Sequence, residues 1–363
     1  MPQASQAGRR RALEPVFDLA RAQVGSGLVP FVILGVAGSD GVTRLEAMSS
    51  PDAPRVGSDG VCLLASITKP IVATAVLQQV EAGRVELAGD VGAWAPDLVN
   101  PDWAPVTPWH LLSHTSGIDD LDLEAVMRDG GGRPEVLRRL AQAGQLTLPG
   151  TRYHYASAPY DLLAEGVARR TGEPFEALLR RTLLAPLGMS STTFDPRPDP
   201  ALASRMASIG VGAFDGHPFG ADPPSVDAFT DLHLCGGGLW SSASDLLRFG
   251  RAMLRGGELD GVRILSPAML ALMTREVTAP VGAASGIGWN ADPLQADHYA
   301  LGWGTPRADT VASPRAFGHG GASGTRLWID PQYDLVYVYL TGSWGLPTAL
   351  IDAVQAAIYA AVS

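Results

Sequence analysis

Strand-like segments lie at the two ends of this chain, and a helix-rich stretch separates them. Near the start, VPFVILGVA and VTRLEAM are joined by GSDG; near the end, TRLWID and LVYVYLTG flank PQYD. Apolar and β-branched runs broken by Gly, Pro and Asp read as paired strands. Residues from about 90 to 205 are instead rich in Leu, Ala, Arg and Glu. Helical spacing runs through DLEAVMRD, PEVLRRLAQAG, DLLAEGVARRTG and PFEALLRRTLLAPLG. A chain patterned this way must build its sheet from both ends and carry the middle as an insert. The expected class is α+β: an antiparallel sheet from both chain ends, flanked by helices, with an all-helical inserted region. Residues 1–90 and 235–363 would form the sheet domain, and 91–234 a mainly helical domain. A cleft between the two parts is the natural place for a site.

Helices are also expected at the extremes. Leu13, Val16, Phe17, Ala20 and Val24 share one helical face, and TALIDAVQAAIYAAV closes the chain. The Gly- and Pro-rich stretch from about 209 to 238 has almost no periodicity, and a stretch of that length reads as a loop lining a site.

Composition removes several functions. With 363 residues, 46% of them apolar, the chain can bury a sizeable core. A net charge of −10 and no basic run beyond Arg9, Arg10 and Arg11 argue against nucleic-acid or anionic-membrane partners. Those arginines precede ALEPVFDLARAQ, which offers no apolar region for an export signal, and GLVPFVILGVAG is too short to span a bilayer. A cytoplasmic protein is expected. Cys62 and Cys235 permit one bridge at most and read as two buried thiols.

Of 27 Lys plus Arg residues, 26 are arginine; the one lysine is Lys69, within LLASITKPIVATAV. Arginine serves as well as lysine on a solvated surface, but it cannot lose its proton. A helix is expected here, ending near Ala82-Gly83. In S-x-x-K on a helix, positions i and i+3 share a face, with β-carbons about 5–6 Å apart. Ser66 would thus meet Lys69 at the helix N-terminus, where unpaired N–H groups favour a developing anion. A serine hydroxyl becomes a nucleophile when a neighbouring base takes its proton, and a desolvated lysine can do that.

Six segments extend this motif: ASITKP (65–70), TPWHLLSHTSGI (107–118), LPGTRYHYASAPYDLLAEGVARRTG (148–172), LLAPLGMSSTTF (183–194), GGGLWSSASDLLRF (236–249) and FGHGGASG (317–324). In this order they resemble the serine β-lactamase and penicillin-binding-protein superfamily. The closest branch is that of class C β-lactamases, D-alanyl-D-alanine carboxypeptidases and family VIII carboxylesterases. The resemblance implies partners for Ser66. A Tyr-x-Asn triplet in the family carries the proton; here YHYAS offers Tyr153 or Tyr155. Tyr155 is preferred because Tyr155-Ala156-Ser157 keeps a short polar third residue. Ser157 stands where the family has Asn and offers one hydroxyl instead of an amide donor and acceptor. His319-Gly320-Gly321 matches the family's Lys-Thr-Gly strand, and the amides of Ser66 and Ala322 would form the oxyanion hole. A neutral His319 would hold a substrate carboxylate less well than lysine.

Other residues carry competing readings. His110 and His114 have zinc-ligand spacing, but neither the Glu of H-E-x-x-H nor a third ligand accompanies them, so no metal is expected. No G-x-S-x-G nucleophile elbow is present. Trp240, Trp289 and Trp303 default to the core, although Trp240, after three glycines, is a candidate for the acyl pocket. Cys62 reads as a small apolar residue.

The expectation is a serine hydrolase without cofactor, most simply a carboxylesterase of small acyl esters. Ser66, Lys69 and Tyr155 would be catalytic, Ser66 and Ala322 would hold the oxyanion, and Ser157, Trp240, His319, Gly320 and Gly321 would contact substrate. The alternatives are a β-lactamase or D-amino-acid peptidase or amide hydrolase using the same residues, or a catalytically silent binding relative. Oligomeric state is not legible.

Overall fold

The computed structural model describes residues 6–211, 226–281, 298–307 and 310–362. Trp289 and residues 212–225 of the Gly- and Pro-rich stretch lie outside them. Seven strands matter here: β1 (Phe31–Gly38), β2 (Gly41–Ser49), β3 (Val61–Leu63), β4 (Trp240–Ser242), β5 (Phe317–Gly321), β6 (Thr325–Asp330) and β7 (Leu335–Leu340). Five of them form one antiparallel sheet in the order β2-β1-β7-β6-β5. Ile33 faces Leu340 across β1 and β7, so the two chain ends meet inside the sheet. Both expected hairpins are present.

Both faces of that sheet are covered, which explains why β1 and β7 are buried along their whole length. Helices α1 (Glu14–Gly25) and, at the C-terminus, the helix Thr348–Val362 cover one face. Val16, Phe17, Ala20, Ile351, Val354 and Ile358 there pack with Val32, Leu34, Tyr337 and Tyr339. The two tyrosine hydroxyls would be orphaned at that depth. Tyr337 donates to Gln355 at 2.6 Å and Tyr339 to Gln23 at 3.0 Å, so each covering helix supplies one acceptor.

The helix α2 (Thr68–Glu81) runs through the core on the other side and is buried nearly all round. It ends where the sequence predicts. A 3-10 turn, Ala65–Ile67, leads into it, and Ala65 takes φ 47°. Between the sheet strands lie α3 (Arg133–Leu140) and α4 (Pro159–Thr171), the latter capped by left-handed Gly172. Then comes α5 (Ala243–Leu254), which packs on the sheet; the C-terminal helix is α6.

Two elements differ from the sequence expectation. Val226–Asp231, inside the stretch read as loop, is a helix held by the buried Phe229 and Thr230. Six residues are too few to display a 3.6-residue period. The pair β3–β4, with Leu63 facing Trp240, is three residues long on each side and equally silent in the pattern. Among the described residues no helix is long and apolar enough to cross a membrane. Cys62 and Cys235 are both free and buried; burial pushes the Cys62 thiol up to about 12.

Candidate active site

Ser66 sits in the 3-10 turn, one turn before Lys69 in the first turn of α2. Lys69 has no exposed surface. Its Nζ donates to Ser66 Oγ at 3.2 Å, to Ser157 Oγ at 3.1 Å and to the Gly236 carbonyl at 2.7 Å. It also stands 4.5 Å from the centre of the Tyr155 ring. Burial brings the Lys69 amine down from its ordinary 10.5 to about 7, against the opposing pull of Asp120 and Asp161. Near neutrality this amine has a substantial proton-free population, which no arginine could supply.

Tyr155 and Ser157 lie on the segment before α4 and are half-buried, whereas Tyr153 is buried. Of the two tyrosines, Tyr155 is the one whose ring Lys69 faces. The segment is pinned by Asp120, whose carboxylate accepts from Ser157 N at 2.8 Å and Ala158 N at 2.9 Å. Behind Tyr155, His114 packs its ring 4.3 Å from the tyrosine ring and accepts the Ala156 N–H at 3.2 Å. Burial holds His114 well below its usual range, so it is a neutral support. His110 serves elsewhere: it caps its own helix, accepting the Thr107 N–H at Nδ1. That helix ends at Leu112 and His114 takes φ 56°, so the two histidines share no helical face.

Strand β5 brings the third wall. Ser323 Oγ donates to the Leu63 carbonyl at 2.7 Å and Thr325 Oγ1 to that of Leu64 at 2.9 Å. These two bonds fasten the β5–β6 turn to the residues just before Ser66. A β-carbon on Gly321 would come within 2.2 Å of the Leu64 carbonyl, so only glycine permits this approach. Gly320, Gly321 and Ala322 are half-exposed. Among the described residues neither the Ser66 N–H nor the Ala322 N–H is paired with an acceptor.

His319 turns inward. Its Nε2 lies 2.9 Å from the Tyr299 hydroxyl and its Nδ1 2.6 Å from the Gly320 carbonyl. Burial and Lys69 lower its pKa to about 3, so the ring is neutral and both nitrogens are engaged within the protein. What this position offers the cleft is backbone. Trp240 requires a correction: it has no exposed surface and sits in the β3–β4 pair, bonded both ways to Thr193. It braces the wall from inside and does not line the cleft. Trp303 is likewise buried, stacked on Phe249.

Sequence reasoning missed Asp120, the Gly236 carbonyl, Ser323 and Thr325. Asp120 and Thr325 lie outside the six segments; Gly236 and Ser323 lie within them, but the bonds they make run to or through carbonyls, which are invisible in any sequence. The Gly236-Gly237-Gly238 run was the one signal: a β-carbon on Gly236 would lie 2.3 Å from the Ser157 carbonyl.

Residues 20–361 match the family model described as Beta-lactamase. Esterase EstB of Burkholderia gladioli is 30% identical over 396 aligned positions, covering 96% of this chain and 94% of EstB. Penicillin-binding protein 4 of Amycolatopsis lactamdurans is 32% identical, covering 79% of this chain and 73% of that protein. In fold, the chain superposes on EstCE1, a hydrolase with promiscuous acyltransferase activity, with a TM-score of 0.79 at 22% identity, over 98% of this chain and 99% of that one. The chain therefore belongs to the beta-lactamase family and is an enzyme, a serine hydrolase of the beta-lactamase and penicillin-binding-protein kind.

Proposed function

We propose that this hydrolase is a carboxylesterase of small acyl esters that works through an acyl-enzyme on Ser66. The observation carrying the reading is the buried Lys69 amine, lowered to about 7 and 3.2 Å from Ser66 Oγ. Ser66 Oγ attacks the ester carbonyl while its proton passes to Lys69, with Tyr155 alongside as the second proton carrier. The oxyanion settles against the Ser66 and Ala322 amides; one such donor is worth about 2.7–4 kcal/mol of barrier. The proton then goes to the leaving alkoxide, and water attacks the acyl-enzyme by the reverse route.

Two features favour esters over β-lactams and D-amino-acid peptides. The Ser157 hydroxyl is engaged by Lys69, which leaves no side-chain amide to grip a substrate amide. His319 is neutral and turned inward, which leaves no cation there for a substrate carboxylate. The near full-length relationship to EstB supports the same reading.

The test is a nitrophenyl ester series run beside nitrocefin and a D-alanyl-D-alanine peptide. Short-chain esters should be turned over fastest, and Ser66→Ala should abolish both turnover and labelling by a fluorophosphonate. Faster turnover of nitrocefin or the peptide would replace esterase by β-lactamase or peptidase at the same residues.

A further inference from the structure

Asp161, in the first turn of α4, has no exposed surface and no part in the steps above. Its Oδ1 accepts the Cys235 N–H at 3.0 Å and lies 3.5 Å from Arg133 Nε, at the start of α3. Its Oδ2 meets no N–H or O–H donor among the described residues, and the weakly donating Cys235 thiol is the carboxyl's remaining neighbour. A carboxylate held this deep with incomplete partners destabilises the fold, so a role in packing alone would be better filled by an apolar side chain. The residue after Cys235 is Gly236, whose carbonyl makes the shortest of the Lys69 contacts, 2.7 Å. Asp161 thus clamps the backbone one residue before the carbonyl that receives the lysine.

We propose that Asp161 is a positioning residue for Lys69. It fixes the Cys235-Gly236 backbone so that the Gly236 carbonyl meets Nζ, and its negative charge, balanced by Arg133, sets the pH at which Lys69 releases its proton. The proposal rests on the reading of Lys69 as proton acceptor from Ser66.

The charges around Lys69 define the expected sign. Asp120 and Asp161 both favour the ammonium form. His114 and His319, both pushed far down by burial, are neutral in the working range, and burial keeps the Tyr160 hydroxyl protonated. Tyr155 meets Nζ with its ring face. Around Asp161 stand Arg133, the buried Cys235 thiol, pushed well up and hence neutral, and, beyond Arg133, Glu165 and Glu176. Burial raises the Asp161 carboxyl to about 6, so it is largely ionised where Lys69 titrates near 7. Removing that charge therefore takes away one of two anions that retain the proton on Lys69, and leaves Arg133 only Glu165 and Glu176 for balance. Both changes make Lys69 release its proton at lower pH.

The experiment measures the fluorophosphonate labelling rate of Ser66 against pH in the full chain, for wild type, Asp161→Asn, Asp161→Ala and Lys69→Arg. The probe reports nucleophile activation whatever the natural substrate is. Asparagine keeps an acceptor for the Cys235 N–H, so its plateau rate should stay within about threefold of wild type. Its acid limb should move down by about half a pH unit or more. Alanine orphans the Cys235 N–H, and its plateau should fall at least ~10-fold. An unmoved acid limb in Asp161→Asn overturns the proposal even if the alanine variant does not fold. So does an asparagine variant that is slow at every pH, or an alanine variant at wild-type rate. Lys69→Arg separates the two layers: labelling at wild-type rate would remove Lys69 as proton acceptor. A slow Lys69→Arg with an unmoved Asp161→Asn limb removes Asp161 alone.

Discussion

Lys69 donates to the Ser157 hydroxyl at 3.1 Å, as close as it comes to the Ser66 hydroxyl. The third residue of the Tyr155-Ala156-Ser157 triplet is therefore a partner of the amine. Its geometry depends on Asp120, which holds the Ser157 and Ala158 amides from the other side. One lysine links the turn before α2, the segment before α4 and the glycine run before β4.

Restoring the family's asparagine at this position should widen the substrate range. In Ser157→Asn, Oδ1 can take over the contact to Lys69 while Nδ2 becomes available to a substrate carbonyl. The ratio of nitrocefin to nitrophenyl acetate kcat/KM should rise by roughly fivefold, the size expected for gaining one hydrogen bond of about 1 kcal/mol to the lactam side-chain amide. An unchanged ratio would show that Ser157 has no bearing on the choice between lactam and ester.

Lys69→Arg tests whether the amine must lose its proton. Arginine retains positive charge and similar length, so a purely electrostatic role would survive it. General-base catalysis is worth about 10²–10⁴-fold, so kcat should fall at least ~10². A variant retaining more than about a tenth of wild-type kcat at neutral pH would shift the base role to Tyr155 alone.

The approach of β5 to the turn that holds Ser66 makes a third expectation. In Gly321→Ala the new β-carbon would meet the Leu64 carbonyl at 2.2 Å, backbone against backbone, with Thr325 Oγ1 at 2.3 Å on the same side. The strand must draw back, and the Ala322 N–H moves with it. Loss of one oxyanion donor corresponds to about 10²–10³ in kcat. Steady-state kinetics with KM nearly unchanged would match that loss; wild-type kcat would show that the Ala322 amide is not used.

The broad pattern was legible because long elements carry a period. The hairpins at both ends and the helices at Thr68–Glu81 and Thr348–Val362 fall where apolar spacing puts them. Ser66 and Lys69 were legible because i, i+3 on a helix is a local rule. What joins that pair to the rest of the site was not, because it runs through backbone. The Gly236 carbonyl, the amides on Asp120 and the Leu63 and Leu64 carbonyls look the same in any sequence. Trp240 was misplaced because a glycine run was read as bordering the cleft, whereas the short β3–β4 pair draws the indole inward.

The final prediction concerns stability. Lys69 has an ordinary pKa of 10.5 when unfolded and about 7 when folded. Between those values the unfolded chain holds the proton and the folded one does not, so this group adds stability as pH rises from about 7 toward 10.5. Below about 7 both states are protonated, and the cost of keeping a buried ammonium is fully present. Lys69→Met cannot titrate, and its lost hydrogen bonds are an offset that pH does not change. Denaturant unfolding of both proteins should therefore show methionine at its most favourable relative to lysine at or below neutral pH. That advantage should shrink by a few kcal/mol as pH rises to about 10. Tyrosines and the other lysine-independent groups titrate alike in both proteins and cancel in the difference. A difference that stays flat from pH 7 to 10 would mean that folding does not depress the amine, and the case for Lys69 as a base poised near neutrality would lose its physical ground.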